Sequence, residues 1–226
     1  MSIIDNYNRI RSDVAAVAAA SGRNPTGVRI IAVCKTIDAV AVQEAIDSGI
    51  RLFGENIVQE AKRKIPTLKG DFAFHMIGHL QTNKARDAVG LFECIHSIDK
   101  FSTAARVDHE AGRIGKVQKI LIQVNASREQ SKSGVPPESL PELVMQTLDL
   151  RNLELHGLMA MAPFTSEERP VRDSFKTTRE LLEDINARFN LSLSELSMGM
   201  SADYRVAVEE GSTMVRIGTA IFGERA

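Results

Sequence analysis

Apolar residues at the start of the chain recur at steps of three and four, which is the spacing of an amphipathic helix. The residues with this spacing are Ile3, Ile4, Tyr7, Ile10, Val14 and Val17. Gly22 and Pro25 end the predicted helix. The run that follows, 28–34, is apolar and rich in β-branched residues, which predicts a parallel strand buried on both faces.

From residue 28 onward, strand-like and helix-like segments alternate along the chain. The other predicted strands span 51–53, 72–77, 93–97, 117–124, 153–159, 194–198 and 213–217. The predicted helices span 39–48, 56–67, 81–90, 99–113, 138–150, 168–189 and 203–210. Strict alternation predicts a parallel sheet, and eight repeats in about 200 residues favour a closed (β/α)₈ TIM barrel. We therefore predict one α/β barrel domain over residues 1–226, in which the extra N-terminal helix replaces a helix after the last strand.

The composition argues against several classes of protein. The net charge is −1 and no basic block occurs, so we expect no nucleic-acid partner. We expect no secretion, because the first residues have neither the basic nor the apolar region of a leader, and no membrane span, because the apolar run 14–20 is too short. Cys34 and Cys94 have neither disulfide-framework nor metal-ligand spacing, which suits the reducing cytoplasm and predicts no metal site. We expect a monomer, because no apolar heptad stands out.

Lys35 ends the first predicted strand, and side chains alternate between the two faces of a strand. If Ile31 and Val33 point into the barrel, Lys35 points there too. A lysine at an apolar mouth is partly desolvated, which favours the neutral, nucleophilic amine that forms a Schiff base. The alternative is a strand-end lysine whose ammonium group simply reaches water.

Glycine-containing segments end the seventh and eighth predicted strands, which is where such barrels commonly bind phosphate. The segments are SMGMS at 197–201 and RIGT at 216–219. Their glycines allow close backbone approach and their hydroxyls add donors; these residues are Gly199, Gly218, Ser201 and Thr219. Ser201 could also begin the helix predicted at 203–210. Two ordinary strand-to-helix turns are the alternative.

Arg216 is the inward position after Met214 on the last predicted strand. A buried arginine needs an acceptor, and it keeps its proton because its ordinary pKa is above about 12. Opposite a pyridine nitrogen, Arg216 would donate a hydrogen bond and leave that nitrogen unprotonated. A salt bridge with Glu55 is an alternative of equal weight.

Polar residues also follow the second and third predicted strands, at the same predicted rim. Asn56 follows the second strand, where its amide could donate to a phenolate oxygen. His79 follows the third strand, where it could act as an acid or base, or serve as a structural hydrogen-bonding group.

The motifs together resemble those of the pyridoxal phosphate homeostasis proteins, in register over essentially the whole chain. They are GEN-x-VQE at 54–60, IGHLQ-x-NK at 77–84, SKSGV at 131–135, GLMAMAP at 157–163, SMGMS at 197–201 and GSTMVRIGTAIFG at 211–223. The combination is far more specific than any single motif. Phe74 stands where relatives often carry Trp, and this position does not touch the expected chemistry.

The resemblance implies a fold-type III barrel like the N-terminal domain of alanine racemase. It implies that Lys35 holds pyridoxal 5′-phosphate (PLP) as a Schiff base and that Arg216 lies at the pyridine nitrogen. The remaining cofactor-binding residues that it suggests are Asn56, His79, Met200, Ser201, Gly218 and Thr219.

Three functions compete at this point. The resemblance implies a PLP carrier without robust catalysis, which regulates vitamin B6 and amino-acid pools and has apo PLP-dependent enzymes as candidate acceptors. An amino-acid racemase is the second function; alanine racemase needs a tyrosine from a second domain, and here only Tyr204 could approach the site. A Schiff-base aldolase acting on a sugar phosphate is the third. We expect the carrier.

Overall fold

Parallel strands form a closed barrel in the computed structural model, which describes residues 2–129 and 133–223. The strands are β1 Arg29–Val33, β2 Leu52–Glu55, β3 Ala73–Met76, β4 Cys94–Ile98, β5 Gln118–Gln123, β6 Leu153–Met159, β7 Glu195–Met200 and β8 Met214–Ile217. Each strand pairs with its neighbours in the chain, and β1 pairs with β8 to close the ring. This topology confirms the predicted TIM barrel.

Helices connect the strands on the outside of the barrel. They are α1 Ile3–Ala20, α2 Ala39–Asp47, α3 Val58–Lys64, α4 Ala85–Leu91, α5 Phe101–Arg113, α6 Leu140–Leu148, α7 Glu168–Phe189, α8 Tyr204–Glu209 and α9 Thr219–Phe222. Short 3₁₀ turns at Ile65–Thr67, Thr82–Lys84 and Pro137–Ser139 occupy parts of the segments predicted as α-helix. The prediction that no helix follows the last strand was wrong. The four residues after Gly218 are enough for one helical turn, α9, in which the amide of Ile221 donates to the carbonyl of Gly218.

The N-terminal helix α1 completes the outer layer of helices beside β8. Ser2 caps it by accepting a hydrogen bond from the amide of Asp5, while the Asp5 carboxylate accepts from the Ser2 amide. Its buried face consists of Ile10, Val14 and Ala18. This face packs against α8 and α9, so the extra helix occupies the predicted place.

Strict alternation of side chains along β1 directs Lys35 toward the barrel interior. Ile31 belongs to an apolar cluster inside the barrel, together with Cys94, Leu121, Met159 and Met214. Ile30, Ala32 and Cys34 instead join the core between the strands and the helices. Because side chains alternate with a period of two, Val33 and Lys35 follow Ile31 on the inner face.

Two observations bear on the expectations from composition. No helix in the described part of the chain is both long and apolar enough to span a membrane. Cys34 and Cys94 are both free and buried.

A buried ion pair lies between the barrel and α3. Lys64 Nζ donates to Glu55 Oε1 at 2.5 Å and to the carbonyl of Cys34 at 2.7 Å. The Lys64 side chain is 8% exposed and that of Glu55 is fully buried. Burial raises the pKa of Glu55, and the ammonium of Lys64 opposes that rise. The charge of Lys64 therefore offsets the cost of a desolvated carboxylate directly behind the segment that leads from β1 to Lys35.

We predict that Lys64→Met destabilises the protein by about 3–5 kcal/mol at neutral pH, because it leaves the carboxylate of Glu55 buried and unpaired. The loss of stability should shrink as the pH falls through the window that lies above 4.5, the ordinary pKa of Glu55. In that window the folded variant binds a proton more tightly than the unfolded chain does, so proton uptake stabilises the fold. Urea unfolding at several pH values measures both effects.

Lys62→Met is the matched control on the same helix. Lys62 pairs with Asp87 at 3.0 Å, but the two side chains are 61% and 35% exposed. Removal of such a surface pair should cost less than about 1 kcal/mol, with little dependence on pH. Equal losses for the two lysine variants would contradict the assigned role of Lys64.

Candidate functional site

A cavity of about 330 Å³ opens at the carboxyl end of the strands, where TIM barrels carry their active sites. It is lined by Val33, Lys35, Asn56, Ile77, Met161, Met200, Ser201, Ala202, Arg216, Gly218 and Thr219. Every predicted cofactor-binding residue except His79 is in this lining. The barrel therefore brings together side chains from β1, β2, β7 and β8 that are far apart in the sequence. We call this space the upper cavity.

Lys35 is the last inward residue before the chain turns away from β1. The turn is made by Thr36, which has a positive φ of 62°. Its amide donates to Glu60 Oε2 at 3.0 Å, and its hydroxyl donates to the carbonyl of Lys35 at 2.6 Å. These bonds hold an unfavourable backbone conformation in place. The half-buried Lys35 side chain is thereby left in the lining of the upper cavity.

The segment that ends β7 bends because the pairing register between β7 and β8 shifts between Ser197 and Met200. Gly199, within the shift, has a φ of +88°. A Cβ atom there would lie 2.6 Å from the Cβ of Ala207 and 2.9 Å from the Cα of Tyr204. Only glycine fits this contact with α8. The bend directs Met200 and Ser201 to the upper cavity.

Ser201 does not begin α8, contrary to the expectation from sequence. The N-cap residue of that helix is Asp203, whose carboxylate accepts a hydrogen bond from the amide of Met200 at 2.6 Å. The exposed Ser201 lies before the cap and lines the upper cavity, as Thr219 does at the start of α9. Two hydroxyl groups therefore face the same space from adjacent loops.

Arg216 extends into the barrel interior beneath the upper cavity and is 4% exposed. Its Nη1 donates to the carbonyl and Oγ of Ser197, at 2.6 and 2.7 Å, and its Nη2 donates to the carbonyl of Ala160 at 2.9 Å. Burial lowers its pKa to about 10, opposed by the charge of Asp203, so it remains a cation at neutral pH. The alternative pairing with Glu55 was wrong, because Arg216 donates to Ser197 and Ala160 while Glu55 Oε1 pairs with Lys64.

A chain of buried side chains continues from Ser197 into the barrel. His96 Nδ1 lies 2.9 Å from Ser197 Oγ, and His96 Nε2 lies 2.9 Å from His75 Nδ1. Burial is the main cause that lowers the pKa of His75 to about 4, and it places the pKa of His96 well below its ordinary range. Both rings are therefore neutral at physiological pH. Sequence analysis did not predict these contacts, because a histidine within a strand carries no sign of its partner.

His75 reaches a second, smaller cavity at the amino end of the strands, which we call the lower cavity. Its volume is about 120 Å³, and its lining includes Cys94 and the ion pairs Arg29–Glu195 and Lys119–Glu93. The upper and lower cavities are thus joined through the barrel by Arg216, Ser197, His96 and His75. This connection consists of side-chain hydrogen bonds.

His75, Cys94 and His96 also form the one group, among the described residues, whose donor atoms could surround a metal ion. Their candidate ligand atoms all lie within 4.8 Å of one another. The facing nitrogens of the two histidines are hydrogen-bonded at 2.9 Å, whereas two zinc-bound nitrogens in a tetrahedral site are about 3.3 Å apart. Burial raises the pKa of Cys94 to about 12, so its thiol is protonated. As it stands, the cluster is a neutral hydrogen-bonded group.

Asn56 presents an unsatisfied acceptor in the lining of the upper cavity. Its Oδ1 is buried and has no hydrogen-bond partner in the structure. The backbone of Asn56 is held closely by the next loop, since a Cβ at Gly78 would lie 2.2 Å from the Asn56 carbonyl oxygen. A buried polar atom without a partner is costly, and a ligand in the upper cavity could satisfy the Asn56 side chain.

His79 lies outside the upper cavity. It lines a neighbouring cleft of about 230 Å³ together with Asn56 and Lys84. Its side chain is 48% exposed, and its Nδ1 lies 3.7 Å from Asp99 Oδ2. Among the described residues, Asn56 is the one that His79's cleft shares with the upper cavity.

A larger cavity of about 500 Å³ adjoins the upper cavity and shares Met161, Met200 and Ala202 with it. The loop that leads to α7 contributes Phe164, which is fully exposed. Tyr204 does not face either cavity. Its hydroxyl donates to Asp13 Oδ2 of α1 at 2.5 Å, on the outside of the barrel.

The fold is that of a barrel of the alanine racemase type. The family model described as "Alanine racemase, N-terminal domain" matches residues 6–226. The pyridoxal phosphate homeostasis protein of Pseudomonas aeruginosa is 42% identical over 99% of this chain and 96% of its own. That of Aquifex aeolicus is 38% identical over 100% of this chain and 99% of its own. The chain therefore belongs to the pyridoxal phosphate homeostasis protein family.

Solved structures agree with this assignment. PipY of Synechococcus elongatus, whose structure was solved with PLP bound, is 38% identical and has a TM-score of 0.83. The match covers 93% of this chain and 100% of that chain.

Of the motifs quoted from the sequence, Ser131 and Lys132 in SKSGV lie outside the described residues.

We predict that Gly199→Ala destabilises the protein by more than about 2 kcal/mol. The new methyl group would meet both Ala207 and Tyr204, in addition to the cost of the positive φ. Gly49→Ala is the matched control, since Gly49 has a φ of +100° and an added Cβ would meet nothing within 4 Å. Thermal unfolding should show a clearly larger loss for Gly199→Ala. Equal losses would mean that backbone strain alone is responsible.

Proposed function

We propose that this protein binds PLP in the upper cavity as a Schiff base on Lys35 and serves intracellular PLP homeostasis and amino-acid balance. The observation that carries the proposal is the convergence of Lys35, Arg216 and the loops after β7 and β8 on one cavity. The PLP-bound relative PipY supports the choice of cofactor. Condensation of the Lys35 amine with an aldehyde would form the carbon–nitrogen double bond and release one water.

The two loops after β7 and β8 provide the groups that a phosphate requires. Ser201 and Thr219 supply hydroxyl donors, and Gly218 allows the backbone to approach closely. Met200 is 41% exposed and borders the same space. Loops after strands seven and eight are the usual phosphate site in TIM barrels, and this supports the proposed orientation with the phosphate at this side of the cavity.

Arg216 and Asn56 suit the two polar edges of the pyridine ring. Arg216 has donors only, so toward a ring nitrogen it would donate a hydrogen bond and keep that nitrogen unprotonated. Such a nitrogen makes the ring a weaker electron sink. Toward a phenolate oxygen Asn56 would donate from Nδ2, whereas its buried and unpaired Oδ1 would accept from a donor on the ligand. We keep His79 as a candidate for the outer edge of the site, through the cleft that it shares with Asn56.

A carrier fits the upper cavity better than a racemase does. Racemisation needs an acid or base on each face of the substrate carbon. Among the described residues that line the cavity, Lys35 and Arg216 are the two with titratable side chains. Arg216 holds its proton, and the hydroxyl of Tyr204 is engaged with Asp13 outside the barrel. Lys35 therefore lacks a second base opposite to it.

The open rim supports exchange of the cofactor. The upper cavity joins the 500 Å³ cavity beside it along Met161, Met200 and Ala202, and the exposed Phe164 lines that larger cavity. Amino acids and acceptor proteins could reach the site from this side. We propose apo PLP-dependent enzymes as acceptors and a monomer as the working state. The free thiols of Cys34 and Cys94 support a cytoplasmic location.

We predict that the protein loaded with PLP is yellow and that borohydride fixes PLP to the peptide containing Lys35. Lys35→Ala should lose both the absorbance and the borohydride adduct, although the phosphate loops should still retain some PLP. Lys84→Ala is the control, because Lys84 lies in the neighbouring cleft, and it should behave as the wild type does. An adduct on Lys84 would overturn the proposed site. A wild-type protein that binds no PLP would favour a Schiff-base aldolase.

We predict that the loaded protein leaves the Cα proton of amino acids in place. In deuterated water, L-alanine should gain deuterium no faster than with free PLP at the same concentration, since the missing acid–base group is typically worth about 10²–10⁴-fold. Mixing the loaded protein with an apo PLP enzyme should restore the activity of that enzyme. Rapid and saturable racemisation of one amino acid would establish an enzyme instead of a carrier.

A further inference from the structure

Four buried side chains from four different strands form one line of hydrogen bonds across the barrel. Arg216 of β8 donates to Ser197 of β7 at 2.7 Å, and Ser197 meets His96 of β4 at 2.9 Å. His96 then meets His75 of β3 at 2.9 Å. We propose that His96 and His75 are positioning residues: through Ser197 they hold the guanidinium of Arg216 in a fixed orientation from the opposite end of the barrel.

The chemistry of the groups gives this line a direction. Arginine only donates, so Ser197 Oγ accepts from Arg216. The hydroxyl proton of Ser197 then needs an acceptor, and the nearest one among the described residues is His96 Nδ1. His96 must therefore carry its proton on Nε2 and donate to His75 Nδ1. His75 in turn carries its proton on Nε2. Every donor along the line points away from Arg216.

The opposite direction leaves a buried group unsatisfied. If His96 carried its proton on Nδ1, Ser197 Oγ would face two donors, from His96 and Arg216. Its own hydroxyl proton would then lack a partner in a fully buried position. An unmade buried hydrogen bond costs about 1–3 kcal/mol. The direction away from Arg216 is thus favoured.

Neutral histidines are required for this arrangement. A protonated His96 would donate from both nitrogens and would place a second positive charge within two hydrogen bonds of Arg216. Burial lowers the pKa of both histidines, which keeps the line neutral. The lower cavity is lined, beside His75, by the titratable His156 and Cys94 and by four charged groups, which are Arg29, Glu93, Lys119 and Glu195. They form two ion pairs and leave little net charge there.

The line limits what Arg216 can do in the upper cavity. Three hydrogen bonds to protein acceptors are present, out of five donors on a guanidinium group. The remaining donors are free for a ligand. The three existing hydrogen bonds prevent rotation of the planar guanidinium group. Loss of the support from Ser197 and His96 should therefore change the hydrogen bond that Arg216 gives to a ring nitrogen. This part of the inference rests on the proposed PLP site.

The first experiment needs neither PLP nor a substitution in the line. Protein labelled with ¹⁵N-histidine is studied by NMR near neutral pH, where the two ring nitrogens report the tautomer. We expect His96 and His75 both to be neutral and protonated on Nε2. Single variants of the exposed His79 and His109 help to assign the other signals. A proton on Nδ1 of His96, or a charged His96, would overturn the proposed direction.

The second experiment uses protein loaded with PLP that is ¹⁵N-labelled in its ring. Ser197→Ala and His96→Phe should each shift the ring-nitrogen resonance and weaken PLP binding by about tenfold, a typical effect of removing an outer-shell partner. The double variant should lose little more than Ser197→Ala alone, because both changes break one line. Unchanged resonances in both single variants, or fully additive losses, would overturn the proposal.

Cys94→Ala is the matched control for a change inside the barrel. Cys94 is 5% exposed, lines the lower cavity beside His75, and has no part in the line. Its removal should leave the ring-nitrogen resonance and the PLP affinity unchanged, although it can lower the melting temperature. If the ring-nitrogen resonance shifts as much in Cys94→Ala as in His96→Phe, the histidines act on Arg216 only as packing residues, which contradicts the proposal. Failure of the wild type to bind PLP would instead contradict the proposed function and leave the tautomer result standing.

Discussion

A guanidinium group inside a closed barrel must be hydrogen-bonded by the protein around it, because an unpaired buried charge costs more than the net stability of a domain. Arg216 meets this requirement with two backbone carbonyls and one hydroxyl, from Ala160 and Ser197. Much of the interior follows from it: a serine on β7 and a histidine on β4 occupy positions that would be aliphatic in an ordinary barrel. The polar interior and the upper cavity are therefore parts of one arrangement.

Local patterns in the sequence were sufficient for the architecture and for the polar residues that line the upper cavity, but His79, also predicted there, lies in the neighbouring cleft. Alternation along β1 predicted that Lys35 follows Ile31 and Val33 inward, and the clusters on the two faces of the strand agree. The glycine-containing ends of β7 and β8 meet because closure makes them neighbours. These inferences need only the period of a strand and the order of strands in a barrel.

Such patterns do not predict hydrogen-bond or ion-pair partners that lie far apart in the chain. His96 and Ser197 are 101 residues apart, and nothing near either residue identifies the other. Glu55 was a plausible partner for Arg216 until Lys64, nine residues away on the next helix, was found against it. Ser201 and Asp203 are both residue types favoured at N-caps; α8 begins after Asp203, whose carboxylate accepts from the amide of Met200 and not from an amide of the helix.

The closure of the barrel also governs when the site can exist during biosynthesis. Lys35 leaves the ribosome well before Arg216 and the loop after β8. The two ends are joined by pairing of β1 with β8 and by the bond from Asn6 Nδ2 to the carbonyl of Ile221 at 3.1 Å. Contacts of such sequence separation form late in folding. A nascent chain therefore exposes the lysine without the groups that would orient a cofactor, and loading belongs to the finished barrel.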